Sequence, residues 1–600
     1  MKKTPRLLVK CSNAAKILLV FLCASTFLLL SCNKDENEVI VAPAPTTSSF
    51  TANFGASVNR DFIGQVLDDA ANPIAGVAIS IGSLTTQTDI NGVFIIKNAA
   101  VQEKFAFVKA SKIGFIDGSR TLVPTTGKNN ITIVLIPNTP IQTIASGAPS
   151  TVTLPSGTQV KFDGAFVDAA GVAYSGPVAV SLYHLITSKT NINNIMPGSL
   201  LAQATDGSAK ILETFGMLNV ELKGSAGQKL NIAPGHSAQL SSVIDASQIA
   251  TAPAIIPLWH FDEVGGYWKQ EGSATKVGSK YEGTVSHFTW WNFDGNYDTS
   301  VLNLKVVNTI GDPIANVSIA LVAGTSVSSS TNSTNSDGVV SGLVPANKSI
   351  VVKVFDACGV VIYTTTIPAL ATNANFTLPN IVISTSSSNV STIKGVLQKC
   401  DGTSVTNGYV ILGAGSTRQL AAVTSGNFTF NSMYCGSTSP NFTYVGYDND
   451  AMQTTGVLTG IYTNPITNLG NILACTAVTQ YISLQVDSGA TKFLYTGLSA
   501  RTPSGFPNTF QLGGSNGTDS FSMSGPNTVG IYTSSTSFYI ESGLLIGTSA
   551  INANISNTMQ YTVSSYGAVG QYVNVSMAGT YTAGGITHTL SGYMHVLRTL

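Results

Sequence analysis

Charge is scarce in this chain. Asp, Glu, Lys and Arg make up only 10% of its 600 residues, and the two signs balance at 30 each. No basic stripe stands out, so the electrostatic footprint of nucleic-acid binding is missing. Between residues 61 and 138 no segment joins a 3.6-residue apolar period to capping residues, and across the chain Thr, β-branched residues and frequent Gly favour strands and tight turns over helices. A dinucleotide-binding fingerprint, a phosphate loop and an EF-hand loop are all absent. The histidines are His184, His236, His260, His287, His588 and His595, and none lies in an H-E-x-x-H pair. His260 and His287 could approach each other in space, but they read as surface residues of a hairpin; no C-x-x-C pair occurs either, so no metal site and no cofactor are expected. Gly513-Gly514-Ser515-Asn516-Gly517 matches the letters of a hydrolase elbow. It reads as a turn with no helix behind it, so no nucleophile is assigned to Ser515.

The N-terminus carries the clearest signal. Lys2, Lys3, Arg6, Lys10 and Lys16 are the only charges before residue 32, and an apolar run from Ile17 to Leu30 follows them. The run is shorter than the ~20 apolar residues that span a bilayer. A basic start, a short apolar stretch and a small residue describe an export leader over residues 1–31. Leu29-Leu30-Ser31-Cys32 resembles the lipobox of bacterial lipoproteins, which implies cleavage before Cys32 and a lipid on its thiol. Lys34-Asp35-Glu36 resembles the export tag of Bacteroidota surface lipoproteins, which implies an outer-membrane anchor facing outward. Losing the leader removes five of the 30 basic residues and no acidic one, leaving the mature chain net acidic by five.

Past a tether at 32–60, the grammar is that of β-structure. Val77, Ile79 and Ile81 alternate with Ala78 and Ser80; Ile131, Ile133 and Leu135 alternate with Thr132, Val134 and Ile136. Such a period of two lines one face of a strand. Asn72-Pro73 and Asn91-Gly92 supply turns between strands. The phrase Asn72-Pro73-Ile74-Ala75-Gly76-Val77 returns as Asp312-Pro313-Ile314-Ala315-Asn316-Val317, and Asp89-Ile90-Asn91-Gly92-Val93 as Asn335-Ser336-Asp337-Gly338-Val339. A looser third copy runs from Cys400-Asp401-Gly402 to Gly426-Asn427-Phe428. Three related units, 61–138, 299–385 and 386–476, follow from this self-similarity. Their uneven spacing reads as beads on a string.

The pattern from Gly64 to Phe94, with Asn72-Pro73-Ile74-Ala75-Gly76-Val77 and Thr88-Asp89-Ile90-Asn91-Gly92 inside it, resembles the carboxypeptidase regulatory-like domain. That resemblance implies a small transthyretin-like sandwich of the carbohydrate-binding-like fold, without the family's separate zinc peptidase.

Residues 139–298 differ, for they hold all four tryptophans, Trp259, Trp268, Trp290 and Trp291. Leu258 to Glu271 reads as a hairpin turning at Gly265-Gly266. That register sets Asp262 opposite Lys269 and His260 opposite Glu271 on a polar face. Trp259, Phe261 and Trp268 share the other face and enter the core. One ring of the adjacent pair Trp290-Trp291 is expected outside, where it could stack on a sugar. The stretch from Pro257 to Asp294 resembles a module of bacterial surface proteins and of cartilage intermediate layer protein-type ectodomains, which implies a structural part. Residues 477–600 alternate again, through Ile482, Leu484 and Val486 to a last strand at Thr589–Leu597. Their final stretch resembles the terminal β-domains of other Bacteroidota lipoproteins.

Four cysteines remain beyond the anchor: Cys358, Cys400, Cys435 and Cys475. An even number in an exported chain points to disulfides, with three connectivities open and at least one bond inside 390–476. The expectation is therefore an all-β string of antiparallel sandwiches behind a lipoprotein leader. Its role is non-enzymatic: structure, adhesion or ligand binding at the cell surface, with glycans or surface proteins as partners. A glycan-uptake component and an unrecognised hydrolase are the alternatives.

Overall fold

A computed structural model describes residues 50–600, except 128, 315–316, 324–328, 336, 357–358, 384–389, 415–416, 435–440, 452, 464, 478–479, 488–491, 495, 516–519, 534–543, 547–548, 552–556 and 584. The leader, Cys32, Cys358 and Cys435 lie outside the described residues. Within them the chain is all-β; the helical pieces are a 3₁₀ turn at Phe50–Phe54 and one helical turn at Ile192–Ile195. No helix among the described residues is long and apolar enough to cross a membrane.

The three repeats share one topology. In the first, strand Ser57–Leu67 lies between Val93–Gln102, antiparallel to it, and Asn129–Val134, parallel to it. In the third, Val390–Lys399 lies in the same way between Asn427–Met433 and Ile466–Ala474. In the second, the later half of Trp290–Val307 takes the central place, antiparallel to Val339–Pro345 and parallel to Asn375–Thr377. A second, antiparallel sheet closes each sandwich; in the first repeat it runs Leu84–Gln87, Ala78–Ile81, Ala106–Ser111, Gly118–Leu122. Val77, Ile79, Ile81, Ile131, Ile133 and Leu135 meet in that repeat's core, as their alternation predicts.

The shared phrases are shared hydrogen-bond circuits. Asp89 Oδ1 accepts from the backbone N–H of Asn91 and Val93, and Asn335 Oδ1 accepts from those of Asp337 and Val339. Thr88 Oγ1 accepts from Val77 N–H and donates to Ile74 O; Thr334 Oγ1 does the same with Val317 and Ile314. Gly92 and Gly338 hold φ of 68° and 70°, and a Cβ on either would stand 2.4 Å from a strand carbonyl oxygen. Only glycine fits such a site without strain. The Trp-bearing domain contains another copy of one turn. Asp168 Oδ1 accepts from Ala170 and Val172 N–H, as Asp68 Oδ1 does from Ala70 and Asn72. Without the Pro-Ile that follows the turn in the first two repeats, this one was not legible in the sequence.

The beads are fused rather than strung. Trp290–Val307 is one strand of 18 residues that crosses the boundary read at 298/299. Its first half pairs with Ala209–Gly224 and Ile255–Asp262, its second with the next sandwich. The first repeat also shares a core with the Trp-bearing domain. Ile116, Val134 and Ile136 pack with Met196, Leu212, Trp259, Phe261, Trp268 and Trp290. Val134 and Ile136 sit on the strand face that alternation assigns to the outside; a neighbouring domain covers them. The tether likewise ends early, because Phe50 and Phe54 bury against Phe105 and Tyr267 and the first strand starts at Ser57. Ion pairing adds to this contact, with Lys189 Nζ 2.8 Å from Asp69 Oδ2.

The first repeat touches two further units. Ile63 and Val93 pack on Tyr409 and Ile411 of the third repeat. Gly76 lies against Tyr593 of the C-terminal sandwich, where an added Cβ would meet the tyrosine Cβ at 2.9 Å. That last sandwich has its own core, built from the alternating residues Ile482, Leu484, Met559, Tyr561, Val563, Val573, Val575 and Met577.

Candidate functional site

The Trp-bearing hairpin brings together the densest set of chemically versatile side chains among the described residues. Strands Ile255–Asp262 and Tyr267–Val277 pair with Phe261 opposite Trp268, His260 opposite Lys269 and Asp262 opposite Tyr267. The register is displaced by two residues from the one expected, because the turn takes four residues, 263–266, instead of two. A shift of two keeps every side chain on its face. The pairs expected directly opposite thus become diagonal neighbours. Lys269 Nζ stands 2.6 Å from Asp262 Oδ2, and His260 Nε2 stands 3.7 Å from Glu271 Oε2.

His287 completes the group from the connection before strand Trp290–Val307. Its Nε2 lies 3.2 Å from Glu271 Oε2, and its ring centroid lies 4.8 Å from that of His260 at 90°. The donor atoms of His260, Glu271 and His287 all fall within 4.8 Å of one another. Ser286 Oγ donates to Glu271 Oε1 at 2.9 Å, fixing the carboxylate from behind. Trp291 forms the floor, 5.7 Å from the His260 ring and 5.1 Å from the His287 ring, and its Nε1 donates to His287 O. Burial, with help from the neighbouring His287, pushes His260 down to about 4, so it is neutral at neutral pH. Burial raises Glu271, but hydrogen bonds from Ser286 and His287, together with the electrostatic influence of the two histidines, outweigh it and hold the carboxyl below its ordinary value. The arrangement offers two imidazole nitrogens and one carboxylate to a common point.

Other expected residues fall elsewhere. Trp259, Phe261 and Trp268 are buried together, as read from the hairpin. Trp290 and Trp291 are both buried as well, one in each of two cores on opposite faces of the same strand. The exposed ring expected of that pair is thus absent, because a second domain covers the face that a single sandwich would leave open. No tryptophan is free to carry a sugar. Asp262 is committed to Lys269 and to the turn, accepting from Val264 and Gly265 N–H. Ser515 ends a strand, Thr509–Ser515, paired with Ser520–Pro526 rather than standing on a turn. Cys400 and Cys475 are bonded, Cα to Cα 5.1 Å, tying together the ends of two parallel strands of the third repeat. A cross-link of this kind contributes typically about 2–4 kcal/mol.

No protein-family model and no curated protein matches this chain. Among solved structures, a streptococcal ancillary pilin is similar at 12% identity over 38% of this chain and 95% of its own, with a TM-score of 0.13. The TIE protein of Bacillus anthracis matches at 8% identity over 80% and 72%, with a TM-score of 0.14. BcpA, the major pilin subunit of Bacillus cereus, matches at 8% identity over 70% and 100%, with a TM-score of 0.12. TM-scores of 0.12 to 0.14 describe no common arrangement of the whole chain, and these likenesses carry no argument.

Proposed function

We propose that this chain is a non-enzymatic, lipid-anchored surface protein that presents a stiff assembly of β-sandwiches for structural or adhesive contact. The observation that carries the reading is the strand Trp290–Val307, which runs unbroken from one sandwich into the next. Hydrogen-bonded backbone and a shared apolar core, in place of a linker, resist motion between domains. Stiffness of this kind suits a spacer or an adhesive stalk. In this reading Cys32 carries the lipid in the outer membrane, the residues just after it form the tether, and the outward face follows from Lys34-Asp35-Glu36. The three repeats are then regulatory-like sandwiches used as building blocks, and their partners are surface proteins or glycans met through variable loops.

Protease treatment of intact cells tests the placement. The expected result is loss of the protein from whole cells while periplasmic markers survive. Full protection until the envelope is opened would overturn outward display.

A further inference from the structure

We infer that His260, Glu271 and His287 bind one divalent transition-metal cation of the zinc class, with a fourth coordination position left to water or an outside donor. The ligand set is two imidazoles and one carboxylate, which suits zinc; calcium and magnesium take oxygen ligands instead. Four-coordinate zinc, with bonds of about 2.0–2.1 Å, needs donor atoms roughly 3.3 Å apart. Glu271 Oε2 already stands 3.2 Å from His287 Nε2 and 3.7 Å from His260 Nε2. All donors lie within 4.8 Å of each other, so the two imidazole nitrogens need to close by at most about 1.5 Å, shared between two side chains.

The supporting groups are of the kind that hold a metal site. Ser286 Oγ orients the Glu271 carboxylate, and Trp291 Nε1 anchors the His287 backbone. Such partners fix ligand orientation and raise affinity. The buried Trp291 ring under both imidazoles lowers the local dielectric, which strengthens attraction between the carboxylate and a cation. The other histidine–carboxylate contacts, His236 with Asp163 and His588 with Asp487, offer two donors each. Only the group on Trp291 reaches three among the described residues.

The test is calorimetric titration of the purified full-length chain, stripped with chelator, with zinc chloride. One ion per chain is expected, and affinity should fall at least tenfold in both His287→Ala and Glu271→Gln. Cobalt(II) should give the visible absorption of a four-coordinate site, lost in the same variants. His287 lies outside the strands and Gln is isosteric with Glu, so both variants keep the fold; near-ultraviolet circular dichroism verifies this. No saturable site, binding unchanged in both variants, or displacement of zinc by excess calcium would each overturn the proposal.

Discussion

Trp268→Ala should cost about 3–5 kcal/mol and loosen the first sandwich from the Trp-bearing domain. Trp268 is fully buried, its ring meets Phe261 edge-on at a centroid distance of 5.2 Å, and its Nε1 donates to Ser199 O at 2.8 Å. Truncation empties the centre of the core shared with Ile116, Val134 and Ile136, and leaves the Ser199 carbonyl without its donor. Packing is lost on both sides of the interface at once, so the two domains should lose their coupling. Chemical denaturation of the variant should show two separated transitions where the wild type shows one for these domains. Limited proteolysis should then cut near residues 138–142. A loss below about 1 kcal/mol with no new cleavage would show that the shared core does not hold the domains together.

A second large effect concerns pH and the contact between the first and third repeats. Tyr409 OH donates to Asp89 Oδ2, and Asn91 Nδ2 donates to Tyr409 OH at 2.9 Å. Tyr409 stacks on Tyr447 and packs on Ile63 and Val93. Burial raises the Asp89 carboxyl to about 6, against the lowering effect of the Tyr409 hydrogen bond, the backbone donors and Arg418. The folded value lies above the ordinary 3.8, so the sign is that of a carboxyl which folding prefers neutral. Below pH ~4 the group is protonated in both states and costs nothing. As pH rises toward 6 the open state ionises first and stability falls; above that the full cost is present. At about 1.4 kcal/mol per unit, the cost reaches roughly 3 kcal/mol.

Asp89→Asn should remove that cost and keep the turn, because Asn335 already makes the same two backbone hydrogen bonds in the second repeat. The variant is expected to be more stable than wild type at pH 7 by about 1–3 kcal/mol and equal to it near pH 4. Calorimetry of both proteins across this range measures the difference and cancels other titrating groups. A variant less stable at pH 7 would contradict the account.

Much of the local structure was legible because it depends on neighbours in sequence. Alternation at Val77, Ile79 and Ile81 marks a half-buried strand, and Asn91-Gly92 marks its turn. The repeated phrases of the first two repeats are legible because each encodes a closed circuit, Thr88 with Ile74 and Val77 and Thr334 with Ile314 and Val317. The polar face of the Trp hairpin survived an error in register because a slip of two residues preserves parity. What was not legible depends on distant contacts. Val134 and Ile136 look like an outer face until another domain lies on them, and Trp290 and Trp291 enter different cores for the same reason. The pairing of His260 with Glu271 and an approach of His287 to His260 were open to the sequence, but that all three meet at one point is set by how the loop before Trp290 folds back, which no spacing rule gives. The boundary at 298/299 was read from a change of pattern, yet a strand serves two sheets without any break in its own alternation.

The anchor is the claim on which the surface role stands. Cells grown with a fatty-acid probe should label the wild-type protein, while Cys32→Ala should stay unlabelled and keep its leader. Equal label in the two, or a cleaved and soluble Cys32→Ala protein, would contradict a lipid anchor at Cys32.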